Sequence, residues 1–148
     1  MDKKLKVKLL RENAKLPVRA SAGAAAYDLC AAIEQDITIL PGQYVNIPTG
    51  IAIEFGDSSL VALVFSRSGH GVKNGVSLTN SVGVVDSDYR GEISAGLINH
   101  GDQPFTVSCG DRIAQLMITY SLPFDIEVCD ALSDTARGTS GFGSTGTK

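Results

Sequence analysis

The stretch IAIEFGDSSLVALVFS, residues 51–66, places apolar side chains at alternate positions twice: Ile51, Ile53, Phe55, and then Val61, Leu63, Phe65, on either side of Gly56-Asp57. A period of two is the repeat of a strand with one buried face, and a Gly-Asp pair between two such runs is turn chemistry. The rhythm continues in both directions. Upstream lie Leu5, Val7, Leu9, then Ile37, Ile39 and Val45, Ile47; downstream lie Ile93, Ala95, Leu97, then Phe105, Val107, Cys109, then Ile118, Tyr120 and Ile126, Val128. Pro41-Gly42, His100-Gly101-Asp102 and Cys109-Gly110-Asp111 punctuate these runs as turns. Many short strands at this spacing predict an all-β chain closed as a barrel or jelly roll. One short helix is expected near Ser66 to Gly75, where glycine and charge replace the alternation.

The length of 148 residues suits one domain with a sizeable core, and there is no internal repeat. Composition shifts at about Ser133, so the chain reads as a barrel domain over residues 1–132 and a flexible, Gly-rich tail over residues 133–148. A formal charge of -3 and a pI near 5.3 give no general electrostatic reason to bind nucleic acid or an anionic membrane. Cys30, Cys109 and Cys129 are odd in number and lack CxxC spacing, which fits a reducing compartment better than a disulfide framework or a zinc site. The opening MDKKLKVKLL is basic, but Lys6 and Lys8 break the apolar run that a signal peptide needs, and no stretch reaches transmembrane length. A soluble, cytoplasmic protein is expected, with the nucleus open to it if the source is eukaryotic or viral.

Five stretches could carry chemistry. The tail RGTSGFGSTGTK, residues 137–148, contains a literal GxGxxG, but only Thr147-Lys148 follow it, so no helix can open there and the P-loop order of Lys then Ser/Thr is reversed. Glycine amides, hydroxyls and Arg137 could still cover phosphates, and Phe142 is either a linker residue or a ring for a flat ligand. In NSVGVVDSDYRGE, residues 80–92, Asp86, Asp88 and Gly91 fit EF-hand positions, whereas Arg90 and Leu97 occupy two that need calcium ligands. Asp86 and Asp88 are then either turn residues or a catalytic carboxylate with its neighbour. FSRSGHGVKNG, residues 65–75, sets Arg67 and Ser68 beside Gly69 and Gly71, as an anion-binding nest or a capped loop. His70 reads as a loop residue without a base partner, and His100 as a turn residue. Finally, Asp28 in AAAYDLCAA and Arg112 and Gln115 in GDRIAQLMI are polar groups among core residues and require partners, from the protein or from a ligand.

Taken together and in order, AAAYDL, SRSG, GVVDSDYRG, GDRIAQ and RGTSGFGSTG resemble the five motifs of the trimeric deoxyuridine triphosphatase (dUTPase) family. They span nearly the whole chain. Three places depart from the family pattern: Ala26 stands for Gly, His70-Gly71 for Leu-Ala, and Ser140 for Gly. The resemblance implies a jelly-roll subunit that hydrolyses dUTP to dUMP and pyrophosphate, limiting uracil in DNA and supplying dUMP for thymidylate synthesis. It makes Asp86 the general base for a water attacking the α-phosphorus. Arg67, Ser68, Gly69, Gln115 and Arg137 become phosphate contacts, and Mg²⁺ bridges the triphosphate with Asp28 reaching it through a bound water. Asn80, Val82, Gly83 and Val84 become the uracil-reading hairpin and Tyr89 the wall under deoxyribose. Phe142 becomes the ring that stacks on uracil when the tail closes, with Gly143 and Ser144 over the phosphates. The active sites are shared within a homotrimer. Two other readings stand beside this one: a dCTP deaminase of the same fold, and a noncatalytic trimeric nucleotide-sensing module.

Overall fold

The computed structural model describes residues 4–141. Its strands are β1 (Lys6–Leu9), β2 (Tyr27–Cys30), β3 (Ile37–Ile39), β4 (Tyr44–Pro48), β5 (Ile51–Glu54), β6 (Leu60–Ser66), β7 (Val76–Leu78), β8 (Val82–Val85), β9 (Ser94–Asn99), β10 (Phe105–Val107) and β11 (Arg112–Tyr120). One helix, α1 (Ser68–Asn74), interrupts them where the alternation fails. The strands form a four-stranded sheet in the order β2-β11-β6-β8, a three-stranded sheet β4-β9-β7, and the pairs β1-β5 and β10-β3. Every pairing is antiparallel. The result is the jelly-roll-like, all-β architecture that the alternation predicts.

The core lies where the faces of these sheets meet. Leu29, Ile47, Ile51, Leu97 and Leu116 are fully buried there, each stabilising the fold by about 1.5–3 kcal/mol through removal of apolar surface from water. On β9 the buried residues are Ala95, Leu97 and Asn99, the first two in the phase that the sequence indicates.

On β6 the phase is the opposite of the one expected. Leu60, Ala62 and Val64 are buried, whereas Val61, Leu63 and Phe65 are only half-buried. The run LVALVF is apolar at every position, so alternation exists in both phases and cannot choose between them. The register chooses. Phe65 stands opposite Val82, and Leu63 opposite Val84 and Met117, so these side chains share the outer face of the sheet. A second expectation fails at Ile126 and Val128, which belong to no strand and are 94% exposed. Beyond Tyr120 the chain leaves the barrel as an extended arm carrying Leu122, Phe124, Ile126 and Val128 in the open. Alternation records apolar faces that need covering, and among the described residues nothing covers those of this arm.

The position of α1 is fixed at both ends. Arg67 is its extended N-cap, and Gly75 ends it in the left-handed conformation at φ 68°, with its N–H donated to the carbonyls of Gly71 and His70. A β-carbon at Gly75 would also strike the backbone of Gly101, so a side chain there is excluded twice.

Candidate active site

A cleft of about 640 Å³ opens beside the turn that carries the chain from β7 to β8; the two strands are not a hairpin as expected, since β7 pairs with β9 and β8 with β6, in different sheets. Asn80, Gly83, Val84, Asp86 and Tyr89 line it, together with Thr79, Glu92 and Ser94. This turn is tight: the Val82 N–H donates to the Asn80 carbonyl at 2.6 Å across Ser81, whose φ of 61° is the only positive value at a non-glycine among the described residues. A γ-turn of this sign is rare and strained, so the surrounding ladder must impose it. Ser66 contributes by accepting the Leu78 N–H on its hydroxyl at 2.8 Å. Gly83 lies opposite Val64, and an added β-carbon would come within 3.2 Å of the Val64 side chain and 3.5 Å of the Asn80 amide nitrogen. A side chain there would crowd Val64, whereas the Asn80 amide would stand in ordinary contact with it.

The other wall is the loop from Asp86 to Glu92. The Tyr89 N–H bonds the Asp86 carbonyl at 3.2 Å, and the Tyr89 hydroxyl donates to the Glu92 carbonyl at 3.1 Å, which folds the ring back over Gly91. Any β-carbon at Gly91 would collide with that ring. Glu92 anchors the loop to the barrel. Its carboxylate accepts Arg11 Nε at 2.7 Å, Arg11 Nη2 at 3.0 Å and the Gly50 N–H at 2.9 Å. The hydrogen bond from Arg11 holds the Glu92 carboxyl below its usual range, against a smaller opposing effect of burial, and the Gly50 N–H adds to the lowering. Asp86 differs, since its exposed carboxylate takes no hydrogen bond or ion pair among the described residues.

A second cluster sits where α1 meets β2 and β11. Asp28 is bracketed by two guanidinium groups, Arg67 Nε at 3.1 Å on one oxygen and Arg112 Nη1 at 3.1 Å on the other. Gln115 donates its amide to the Ser66 carbonyl at 2.9 Å, which pins the end of β6 beside β11. Ser68 and Gly69 follow Arg67 in the first turn of α1, exposed to solvent. Cationic guanidinium groups and hydroxyl donors on one exposed surface can hold a polyanion.

The family model described as dUTPase matches residues 12–146. This chain belongs to the dUTPase family. It is 49% identical over 145 residues to the deoxyuridine 5'-triphosphate nucleotidohydrolase of Desulfitobacterium hafniense (strain DSM 10664 / DCB-2), a match covering 97% of this chain and 96% of that protein. It is 44% identical to the enzyme of the same name from Hahella chejuensis, over 95% of this chain and 93% of that one. Among solved structures, the dUTPase of Staphylococcus bacteriophage 80alpha with dUPNHPP superposes with a TM-score of 0.88 at 26% identity, covering 97% of this chain and 98% of that one.

In this dUTPase the residues singled out from sequence fall into separate groups. Asn80, Gly83, Val84, Asp86 and Tyr89 share the cleft, while Val82 is not part of its lining and points from the outer face of β8 opposite Phe65. Asp28, Arg67, Ser68, Gly69 and Gln115 gather around α1 and do not line that cleft. Arg137 makes only a local contact, its Nε donating to the Ser140 carbonyl at 3.0 Å. Phe142, Gly143 and Ser144 lie outside the described residues. Glu92 has no role in the sequence reading, and Arg112 enters it only as a polar group that needs a partner, which the structure supplies in Asp28. The partners of Glu92 stand 81 and 42 residues away in sequence, and no local pattern announces such a pairing.

Proposed function

We propose that each active site of this enzyme uses Asp86 as the general base for a water that attacks the α-phosphorus of dUTP, and that the site is completed by neighbouring copies in a homotrimer. Hydrolysis of dUTP, the dUTP diphosphatase reaction, comes with membership of the family and the near-full-length relatives. The observation that carries the finer reading is the position of Asp86: a carboxylate directly after β8, without a partner among the described residues, in the same cleft as Asn80, Gly83 and Tyr89. A carboxylate already tied to a cation could not take a proton from water readily, whereas this one can.

The cleft suits a deoxyuridine. β8 is an edge strand, so part of its backbone N–H and C=O edge has no strand partner and can read a pyrimidine as a base-pairing edge would. Gly83 leaves that backbone accessible, with the Asn80 amide beside it. The Tyr89 ring, folded over Gly91, is placed as a wall against a ribose 2'-hydroxyl. Arg67, Ser68, Gly69, Gln115 and Arg137 supply phosphate contacts, and Phe142, Gly143 and Ser144 close over the bound nucleotide.

Mg²⁺ fits these residues only in an outer role. No group of three or more His, Cys, Asp or Glu side chains among the described residues could hold a metal, so its ligands would be phosphate oxygens and water. Asp28 has both oxygens on guanidinium groups, yet each keeps a lone pair that can accept from a metal-bound water. When bound, the ion supplies charge neutralisation on the triphosphate.

The composite site is supported by the separation of the Asp86 cleft from the Arg67 cluster within one subunit. It is supported also by the uncovered apolar arm and by the outer face formed by Leu63, Phe65, Val82 and Val84, which another copy would cover. The test is product analysis with Mg²⁺ over dUTP, dTTP, dCTP and UTP. Pyrophosphate should leave dUTP with by far the highest kcat/KM. Equal values for dUTP and UTP would remove the sugar wall, and ammonia from dCTP would replace the reaction by deamination.

A further inference from the structure

His70 is the third residue of α1, directly behind Arg67. Its Nε2 lies 2.7 Å from the backbone oxygen of Arg112, and Arg67 Nη1 lies 3.2 Å from the same oxygen. A carbonyl oxygen only accepts, so a lone pair on Nε2 at that distance would be repelled. Nε2 must carry the proton. It then cannot accept from Arg67, and the 3.4 Å approach of Arg67 Nη1 to Nε2 is a side-by-side contact between two donors that converge on one carbonyl. A carbonyl has two lone pairs, which suits this arrangement. The imidazole is held in place by Phe105, edge to face, with ring centroids 5.1 Å apart and planes at 71°. On its other flank Arg67 Nε is fixed by Asp28 at 3.1 Å.

We infer that His70 is a positioning residue for the triphosphate site: by bracing the Arg112 carbonyl beside Arg67, it locks the first turn of α1 to β11 and holds the Arg67 guanidinium in its binding orientation before substrate arrives. With Nε on Asp28 and Nη1 on the Arg112 carbonyl, the Nη2 side of Arg67 is left to face an anion. A side chain ordered in advance loses less conformational freedom on binding than one that must be ordered by the ligand. The inference rests on Arg67 as a phosphate contact.

Two variants and one spectrum test it. His70→Leu keeps apolar bulk and removes the donor, and it should raise KM for dUTP and weaken a nonhydrolysable dUTP analogue by about fivefold, the scale of one hydrogen bond, with kcat little changed. His70→Gln places an amide N–H near the position of Nε2 and should return both values towards wild type. A residue that only supports the fold would instead lower the melting temperature and the active fraction without this KM-specific loss or its rescue. Independently of any variant, a long-range ¹H–¹⁵N spectrum of the wild-type imidazole should show the Nε2–H tautomer. The Nδ1–H tautomer, or an unchanged KM in His70→Leu, overturns the brace. Arg67→Ala separates this from the underlying reading: if it leaves KM unchanged, Arg67 is no phosphate contact, whereas if it raises KM and His70→Leu does not, the brace alone fails.

Discussion

Two carboxylates six positions apart in one loop, Asp86 and Glu92, are treated oppositely by this fold. Asp86 is left exposed and unpaired in the cleft, while Glu92 is held by Arg11 and by the Gly50 N–H. The difference suits a base on one side and an anchor on the other. Because the folded Glu92 carboxyl is depressed below its usual value, its contribution to stability is complete above the unfolded value of about 4.3 and is lost as pH falls through the lower folded value. Comparing wild type with Glu92→Gln in urea unfolding should therefore give a stability difference that is constant above about pH 5 and shrinks as the pH drops below the ordinary glutamate value. A difference that grows on acidification would mean that the carboxylate is not stabilised by its partners. Of these two residues only Asp86 was legible in the sequence, through its place in GVVDSDYRG. The Arg11 to Glu92 pair joins positions 81 apart, a distance over which neither spacing nor propensity carries information.

The elements show a similar divide between what a pattern records and what packing decides. Where one face of a strand is plainly apolar, as with Ala95 and Leu97 on β9, the buried set can be read directly. Where both faces are apolar, as on β6, only the cross-strand register reveals that Leu60, Ala62 and Val64 point inward. The Asp86 to Glu92 loop was legible as a turn, yet Gly91 has a duty that turn chemistry does not express: it makes room for the Tyr89 ring. Gly91→Ala should push that ring away from its seat between the cleft and the Glu92 carbonyl. Discrimination against UTP should then weaken, the dUTP to UTP ratio of kcat/KM falling by roughly tenfold or more towards what an unshaped pocket achieves against one added hydroxyl. Steady-state kinetics on the two nucleotides check this. A ratio equal to wild type in a folded Gly91→Ala enzyme would show that the ring position does not set sugar choice.

At the scale of the whole molecule, one subunit exposes surfaces that a soluble monomer rarely leaves uncovered: the arm side chains Leu122, Phe124, Ile126 and Val128, and the outer sheet face with Val82 and Val84. The Asp86 cleft, which Val84 also lines, and the Arg67 cluster share no lining residue, and a single triphosphate would have to join them. A homotrimer in which each tail from about Ser133 closes over another copy's Asp86 accounts for both facts, and complementation can test it. Asp86→Asn subunits keep their tails and lose the base, so their turnover should fall at least about a hundredfold, the usual scale for general base catalysis. Subunits ending at Ala136 keep the base and lose Arg137 and Phe142, so they should be nearly inactive as well. Co-expression with two different affinity tags, followed by purification through both, isolates hybrid trimers. If tails cross between subunits, some sites in a hybrid combine an intact Asp86 from one chain with an intact tail from another, and activity returns. If each tail serves its own subunit, every site in every hybrid lacks either the base or the ring. Double-tagged protein as inactive as both parents would then rule out tail exchange between subunits, even if the trimer itself were present.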